Sequence, residues 1–214
     1  MVVSRRLTPK RGADSQTVLV QLMEITHANV AGIVHGGEVM KLVDTAAGIA
    51  AIKHAGGMCV TVSMDEMSFL HPVHVGDLVT VKACVNDVGT TSLEIGVRVE
   101  VEDVISRERK HTSSAYLVFV ALDALGKPRP VPPLIADGTE ERRRQREAKM
   151  RRQARLSHRE AIERQRLGVP GGAEAASQGP TSGPTSRPTP GEGAPAGDEG
   201  SEPDDGTQRP HLRM

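Results

Sequence analysis

Hydrophobic and polar positions change rhythm along this 214-residue chain, and the rhythm divides it. From Ser92 to Glu102 the two classes alternate. Leu93, Ile95, Val97, Val99 and Val101 fall on one face, and Glu94, Arg98, Glu100 and Glu102 on the other. A period of two predicts a strand with one face on a core and one in water. Runs rich in β-branched residues at 17–26, 58–69, 78–88 and 111–122 predict four more strands. Within 58–69, Met58, Val60, Val62 and Met64 read as the inward set, alternating with Cys59, Thr61, Ser63 and Asp65. The turn at 71–77, with Pro72 and Gly76-Asp77, the hairpin Gly89-Thr90-Thr91 and the charged loop 103–110 separate the later strands. Gly126 and the prolines at 128, 130, 132 and 133 stop the last one.

Between the first and second strands the period lengthens. Glu38 to Lys53 holds no Pro and one Gly, and its apolar residues cover most of a helix circumference. Such a helix is usually buried. At about 27 Å it is too short, and too interrupted by charge, for a membrane span. Ala55-Gly56-Gly57 is a fitting C-terminal stop. One strand, one long helix and four strands on short connections predict an α+β fold, an antiparallel sheet of about five strands wrapped around one central helix.

Asp44 is the exception within that helix. One reading makes it a solvated or Lys41-paired carboxylate on a wet edge; the other makes it catalytic, with Ala47 and Gly48 leaving room beside it. Gly36 and Gly37 open the helix, where free N–H groups and the dipole can hold an anion or an oxyanion, or where a turn simply needs Gly. Asn29 precedes them in a loop of small residues and can both donate and accept. Gly37 and Asp44 lie roughly 10 Å apart along a helix. A base and its oxyanion donors must sit within about 3 Å of the reacting atoms. Asp44 and its own helix start therefore cannot serve one carbonyl easily, and a second subunit is expected to complete the site.

Composition sharpens the boundaries. The only aromatics are Phe69, Tyr116 and Phe119, so the folded part ends soon after them. The formal net charge is zero and names no partner. Cys59 and Cys84 have no metal-type spacing, and neither do the histidines, so free thiols, a reducing compartment and no metal are expected. No signal-peptide core or span-length segment is present, which predicts a cytoplasmic protein without membrane insertion. Residues 1–16 read as a flexible arm and 17–138 as the domain. Residues 139–167 form a basic helical extension, with 11 Lys/Arg against 5 Glu between Glu140 and Arg166. Its apolar positions are few and poorly periodic, which predicts an exposed helix, docked in part at best. Without aromatics to stack on bases, nucleic acid is not expected as a partner. Residues 168–214, holding 10 of the 22 Gly and 8 of the 14 Pro, read as a disordered acidic tail.

Four segments carry a resemblance over roughly residues 17–140: 27–49 (HANVAGIVHGGEVMKLVDTAAGI), 69–79 (FLHPVHVGDLV), 88–95 (VGTTSLEI) and 128–134 (PRPVPPL). Together they resemble the acyl-CoA thioesterases, or acyl-CoA hydrolases, of the hot-dog fold. The resemblance implies hydrolysis of acyl-CoA to a fatty acid and CoA, at sites between two hot-dog modules. It implies a homodimer, with a trimer of dimers as the larger assembly. It matches the family's helix Asp to Asp44, as general base, and its loop Asn to Asn29. Gly37 N–H then stabilises the oxyanion, with Gly36 and His35 against the substrate. Relatives often carry Arg at the hairpin position occupied here by Thr90. The CoA end of the substrate is accordingly assigned to Thr91, Ser92, Arg107, Arg109 and Lys110. No cofactor is expected, since CoA belongs to the substrate. Two rival expectations are an acyl-CoA-binding regulator with a basic DNA-binding arm and a hot-dog enoyl-CoA hydratase. The first lacks a helix-turn-helix, and the second lacks a histidine within a turn of Asp44.

Overall fold

The computed structural model describes residues 7–167; the expected tail from residue 168 lies outside the described residues. The main sheet is built from β2 (Thr17–Leu22), β3 (Cys59–Phe69), β4 (Asp77–Val88), β5 (Ser92–Asp103) and β6 (Arg109–Ala121). Its order is β2-β4-β5-β6-β3, with every neighbouring pair antiparallel. Helix α1 (Gly36–Ala55) lies on one face and α2 (Thr139–Arg166) on the other. A short parallel pair, β1 (Lys10–Arg11) with β7 (Leu134–Ile135), joins the two ends of the domain. The expected α+β architecture, five antiparallel strands around one long helix, is the one found.

The core lies between α1 and the inner face of the sheet. Val39, Val43, Ala46, Ala47, Ala50 and Ala51 are buried against Val79, Val81, Ile95, Val97, Leu117 and Phe119. The small residues let the sheet curve close to the helix. At Gly48 even a methyl group would stand 3.6 Å from the Phe119 ring.

The C-terminal end of α1 is closed. Gly56 adopts φ +68°, the left-handed conformation Gly tolerates, and donates to the Ile52 carbonyl at 2.8 Å. Lys10 Nζ donates to the carbonyls of Lys53 and His54, and Arg129 to that of Ala55. Two cations thus satisfy carbonyls at the negative end of the dipole. His54 is fully buried beside them, with Nδ1 3.3 Å from Ser15 Oγ and Nε2 3.0 Å from the Pro132 carbonyl. Residues 10–16 are accordingly not a loose arm. They are held by the helix end they cap.

Two expectations about faces are corrected. First, the start of β3 has the opposite sense to the one expected, while Met64, past the register shift at Thr61/Ser63, packs on the core as expected. Cys59 is buried, whereas Met58, Val60 and Val62 are 66%, 39% and 55% exposed. β3 is an edge strand with two register shifts, so its apolar residues cannot all reach the core. Second, α1 is not buried all round. Met40, Lys41, Asp44, Thr45 and Ile52 form an exposed stripe at helical spacing. As expected, α2 is docked only in part, and the contacts that hold it are polar. Gln145 donates to Asp87, Arg151 to Glu94, and Arg155 to Glu94 and Asp65, while Ala148 is buried. Arg151 also stacks 3.6 Å from the Tyr116 ring centroid. A search for apolar periodicity misses such a face because the contacts are ionic.

Candidate active site

The loop before α1 is shaped by its own side chains. Asn29 Oδ1 accepts from Ala31 N–H at 2.8 Å, a turn closed by Gly32 at φ +76°. Because that backbone donor needs an oxygen, the Asn29 amide is oriented with its NH2 away from the turn. Asn29 is half-buried and lines a cavity of about 270 Å3 with Gly36, Val39, Phe69, His71 and Pro72. The loop is tied down by Val34 N–H to Val73 O and His35 N–H to His27 O, at 2.9 and 2.8 Å.

His35 is the N-cap of α1. Its Nδ1 accepts from Gly37 N–H at 2.9 Å, and its carbonyl accepts from Glu38 N–H at 2.9 Å. The Gly37 donor assigned to an oxyanion is therefore occupied within the chain. Gly36 N–H has no acceptor among the described residues, and Gly36 lines the cavity that Asn29 lines. The open donor is one residue earlier than expected, because a capping ring was not foreseen.

Asp44 lies two turns further along α1, on the exposed stripe rather than in the cavity. Thr61 Oγ1, from β3, donates to its Oδ1 at 2.7 Å. Sequence reasoning missed Thr61 because it assigned Val60 and Val62, not Cys59 and Thr61, to the face against the helix. The signal available was the need of a helix carboxylate for a donor from the strand that follows.

The candidate CoA-binding residues separate into two groups. Lys110 lines a cavity of about 280 Å3 that shares His71 and Pro72 with the Asn29 cavity. Lys110 pairs with Glu108 at 3.2 Å and Arg109 with Glu102 at 2.7 Å, both exposed cations in weak, exchangeable pairs. Arg107 sits at the exposed loop tip with φ 60°. Thr91 and Ser92 are at the other end of the 12-residue β5, and so of the sheet. Ser92 faces a cavity under α2 with Arg152. One chain does not bring the two groups together.

No group of three metal-binding side chains occurs among the described residues. Burial pushes the Cys59 thiol up, away from the thiolate a nucleophile requires. No described helix is long and apolar enough to cross a membrane.

Known proteins agree with this architecture. The profile of the Thioesterase superfamily matches residues 31–106. Protein VdlD of Helicobacter pylori is 39% identical over 121 residues, covering 56% of this chain and 69% of that protein. A crystal structure of an apo-hexameric acyl-CoA thioesterase is 32% identical, with a TM-score of 0.69, and covers 71% of this chain and 97% of that one. The Staphylococcus aureus acyl-CoA hydrolase, in complex with butyryl coenzyme A, coenzyme A and coenzyme A disulfide, is 31% identical, with a TM-score of 0.68, covering 75% and 98%. Structures of that hydrolase also exist for alanine variants of an Asp, of an Asn with coenzyme A bound, and of a Thr. The chain belongs to the acyl-CoA thioesterases of the thioesterase superfamily, on a hot-dog fold.

Proposed function

We propose that the protein hydrolyses acyl-CoA thioesters at sites shared between two copies of the chain. Asp44 of one copy acts with Asn29 and Gly36 of the partner subunit. The observation that carries this reading is the position of the two halves along β3. Thr61, which holds Asp44, is near the start of the strand. Phe69, whose ring lies 3.5 Å from the place of a Gly36 Cβ, is at its end. Among the described residues β3 is paired on one side only, by β6. A long, partly apolar open edge favours pairing with another strand. Antiparallel pairing of two such edges sets the start of one β3 against the end of the other. Asp44 then faces the cavity of the partner subunit. The same pairing brings the hairpin end of one sheet toward the loop end of the other, which would unite the two groups of CoA-binding residues.

In this arrangement Asp44 takes a proton from water. The resulting hydroxide attacks the thioester carbonyl carbon. The Asn29 amide NH2 and Gly36 N–H receive the developing oxyanion. Collapse breaks the C–S bond, and the departing thiolate takes up the proton to leave as CoA. A positioned general base contributes about 10²–10⁴ in rate and an oxyanion donor about 10²–10³. The reaction so built requires no cofactor besides the CoA that the substrate brings. The same three residue types, Asp, Asn and Thr, are those replaced in the Staphylococcus aureus variants, which supports the choice of Asp44, Asn29 and Thr61. The hexameric assembly of relatives makes a trimer of dimers the expected state. Arg151 and Arg155 are engaged with the sheet, which counts against α2 as a DNA-binding arm.

The test is complementation. Asp44→Ala and Asn29→Ala chains should each be folded and nearly inactive in thiol release from acyl-CoA. Unfolded and refolded together, they should regain a fraction of wild-type turnover, because mixed dimers hold one intact site. Full activity in either single variant, or no rescue despite demonstrated mixing, refutes the reading.

A further inference from the structure

Helix α2 is longer than the sheet it crosses. Gln145 contacts β4 through Asp87, Arg151 contacts β5 through Glu94, and Arg155 reaches β3 through Asp65. Ten residues of helix rise roughly 15 Å, and three strand spacings from β4 to β3 amount to roughly 14 Å. The helix therefore runs nearly perpendicular to the strands and meets the edge strand at Arg155. Leu156–Arg166 then continues for about 16 Å past the edge. There it carries exposed Leu156 and Ile162, 45% and 37% accessible; Leu156 lines a cavity with Val62 of β3, and Ile162 one with Ser63 to Glu66. Its charges are mixed: Arg159, Arg164 and Arg166 with Glu160 and Glu163. Nothing in one chain requires a helix to extend beyond its own sheet.

We propose that Leu156–Arg166 is a clasp that packs along α2 of a second copy, above the junction of the two β3 strands. The proposal rests on the shared-site reading, since it uses the β3 edge as the contact. Met64 is the middle residue of Cys59–Phe69, so full antiparallel pairing places the two-fold axis beside Met64. Each α2 crosses β3 at Asp65, one residue from that axis. The two helices then pass about 7 Å apart, close to the 8–10 Å at which helices pack. They run antiparallel, so the basic end of each lies along the partner's mixed-charge segment. Leu156, beside the axis, meets its counterpart, and Ile162 reaches the docked half of the partner's helix. The clasp closes the sheet face opposite α1, and so holds the register on which alignment of Asp44 with the partner's Asn29 depends.

The test uses single cysteine replacements in the full-length protein and a short bismaleimide cross-linker. Ser63→Cys reports the β3 junction. Leu156→Cys and His158→Cys, near the axis, report the clasp. Ile162→Cys and Met150→Cys, exposed but carried away from their counterparts by antiparallel packing, are the controls. The proposal predicts cross-linked dimers at Ser63 and at Leu156 or His158, and none at Ile162 or Met150. It also predicts that the double variant Leu156→Asp/Ile162→Asp, with its melting temperature retained, shifts the dimer–monomer equilibrium at least tenfold toward monomer. Cross-linking at Ser63 with none on α2 overturns the clasp and leaves the shared site standing. Absence of cross-linking at both overturns the β3 dimer, and the clasp with it. A dimer unaffected by the double Asp variant, together with new DNA affinity in the α2 segment, overturns the clasp in favour of a nucleic-acid arm.

Discussion

Lowering the pH toward 5.5 should destabilise the domain through His54. The ring is fully buried, with Ser15 Oγ on Nδ1 and the Pro132 carbonyl on Nε2. A carbonyl only accepts, so Nε2 carries the proton and Nδ1 accepts from the Ser15 hydroxyl in the neutral ring. Burial, the largest influence, lowers the His54 pKa; the bond to Pro132 opposes it, and the nearby Lys10 charge adds to it. The folded pKa thus lies below the unfolded value of about 6.5, and the unfolded chain binds the extra proton. Stability is complete above that value and is lost as the pH falls beneath it. An unfolded histidine about ten-elevenths protonated near pH 5.5 sets an upper limit of about 1.4 kcal/mol, or roughly 3–6 °C in Tm for a domain of this size. Glu100, held at about 2 by Arg98 and Lys82, does not titrate in this window. The assay is Tm by differential scanning fluorimetry between about pH 8 and 5.5, for wild type and His54→Gln. Gln can donate to Pro132 and accept from Ser15 but does not titrate. Wild type should lose several degrees more than the variant. Equal losses would refute the assignment.

Thr61→Val should keep the fold and lower kcat about 10–100-fold, with KM little changed. It removes one hydrogen bond to a charged group, and such bonds contribute about 1.5–3 kcal/mol; steady-state thiol release with a parallel Tm measurement checks it. Gly36→Ala and Gly37→Ala should separate. A methyl at Gly36 meets only the Phe69 ring at 3.5 Å, so Tm should hold while activity falls. At Gly37 it would lie 2.9 Å from His35 Nδ1 and disrupt the cap, costing about 0.5–2 kcal/mol in urea unfolding. Identical stability in the two variants would contradict the roles given to His35 and to the Gly36 N–H.

Much of the fold was legible because β4 to β6 alternate faithfully and α1 keeps an uninterrupted helical run. Legibility failed where a residue's surroundings lie outside its own element. β3 has a free edge, so apolar Val60 and Val62 turn outward and their alternation misled. α2 docks by Arg–carboxylate pairs whose partners stand 57 to 90 residues away, which no local pattern reveals. In the site, Asn29, Gly36 and Asp44 stood out as a polar loop, a Gly pair and a lone helix carboxylate. Occupation of Gly37 N–H by His35 could not be read from spacing, because a His beside a Gly pair has several rotamers. Thr61 stayed hidden behind the inverted strand face.

The parallel pairing of β1 with β7 has a consequence for how the domain can be joined to others. Lys10 lies opposite Leu134, and Lys10 N–H donates to the Pro133 carbonyl at 2.9 Å. The polypeptide enters the sheet-and-helix unit at one corner, beside the closed end of α1, and returns to that corner before α2 begins. A second module could therefore be joined ahead of Lys10 with no linker crossing either face. Fusion on that side leaves α2 and the β3 edge untouched, so the domain can gain a covalent neighbour without disturbing the edge on which its sites are proposed to form.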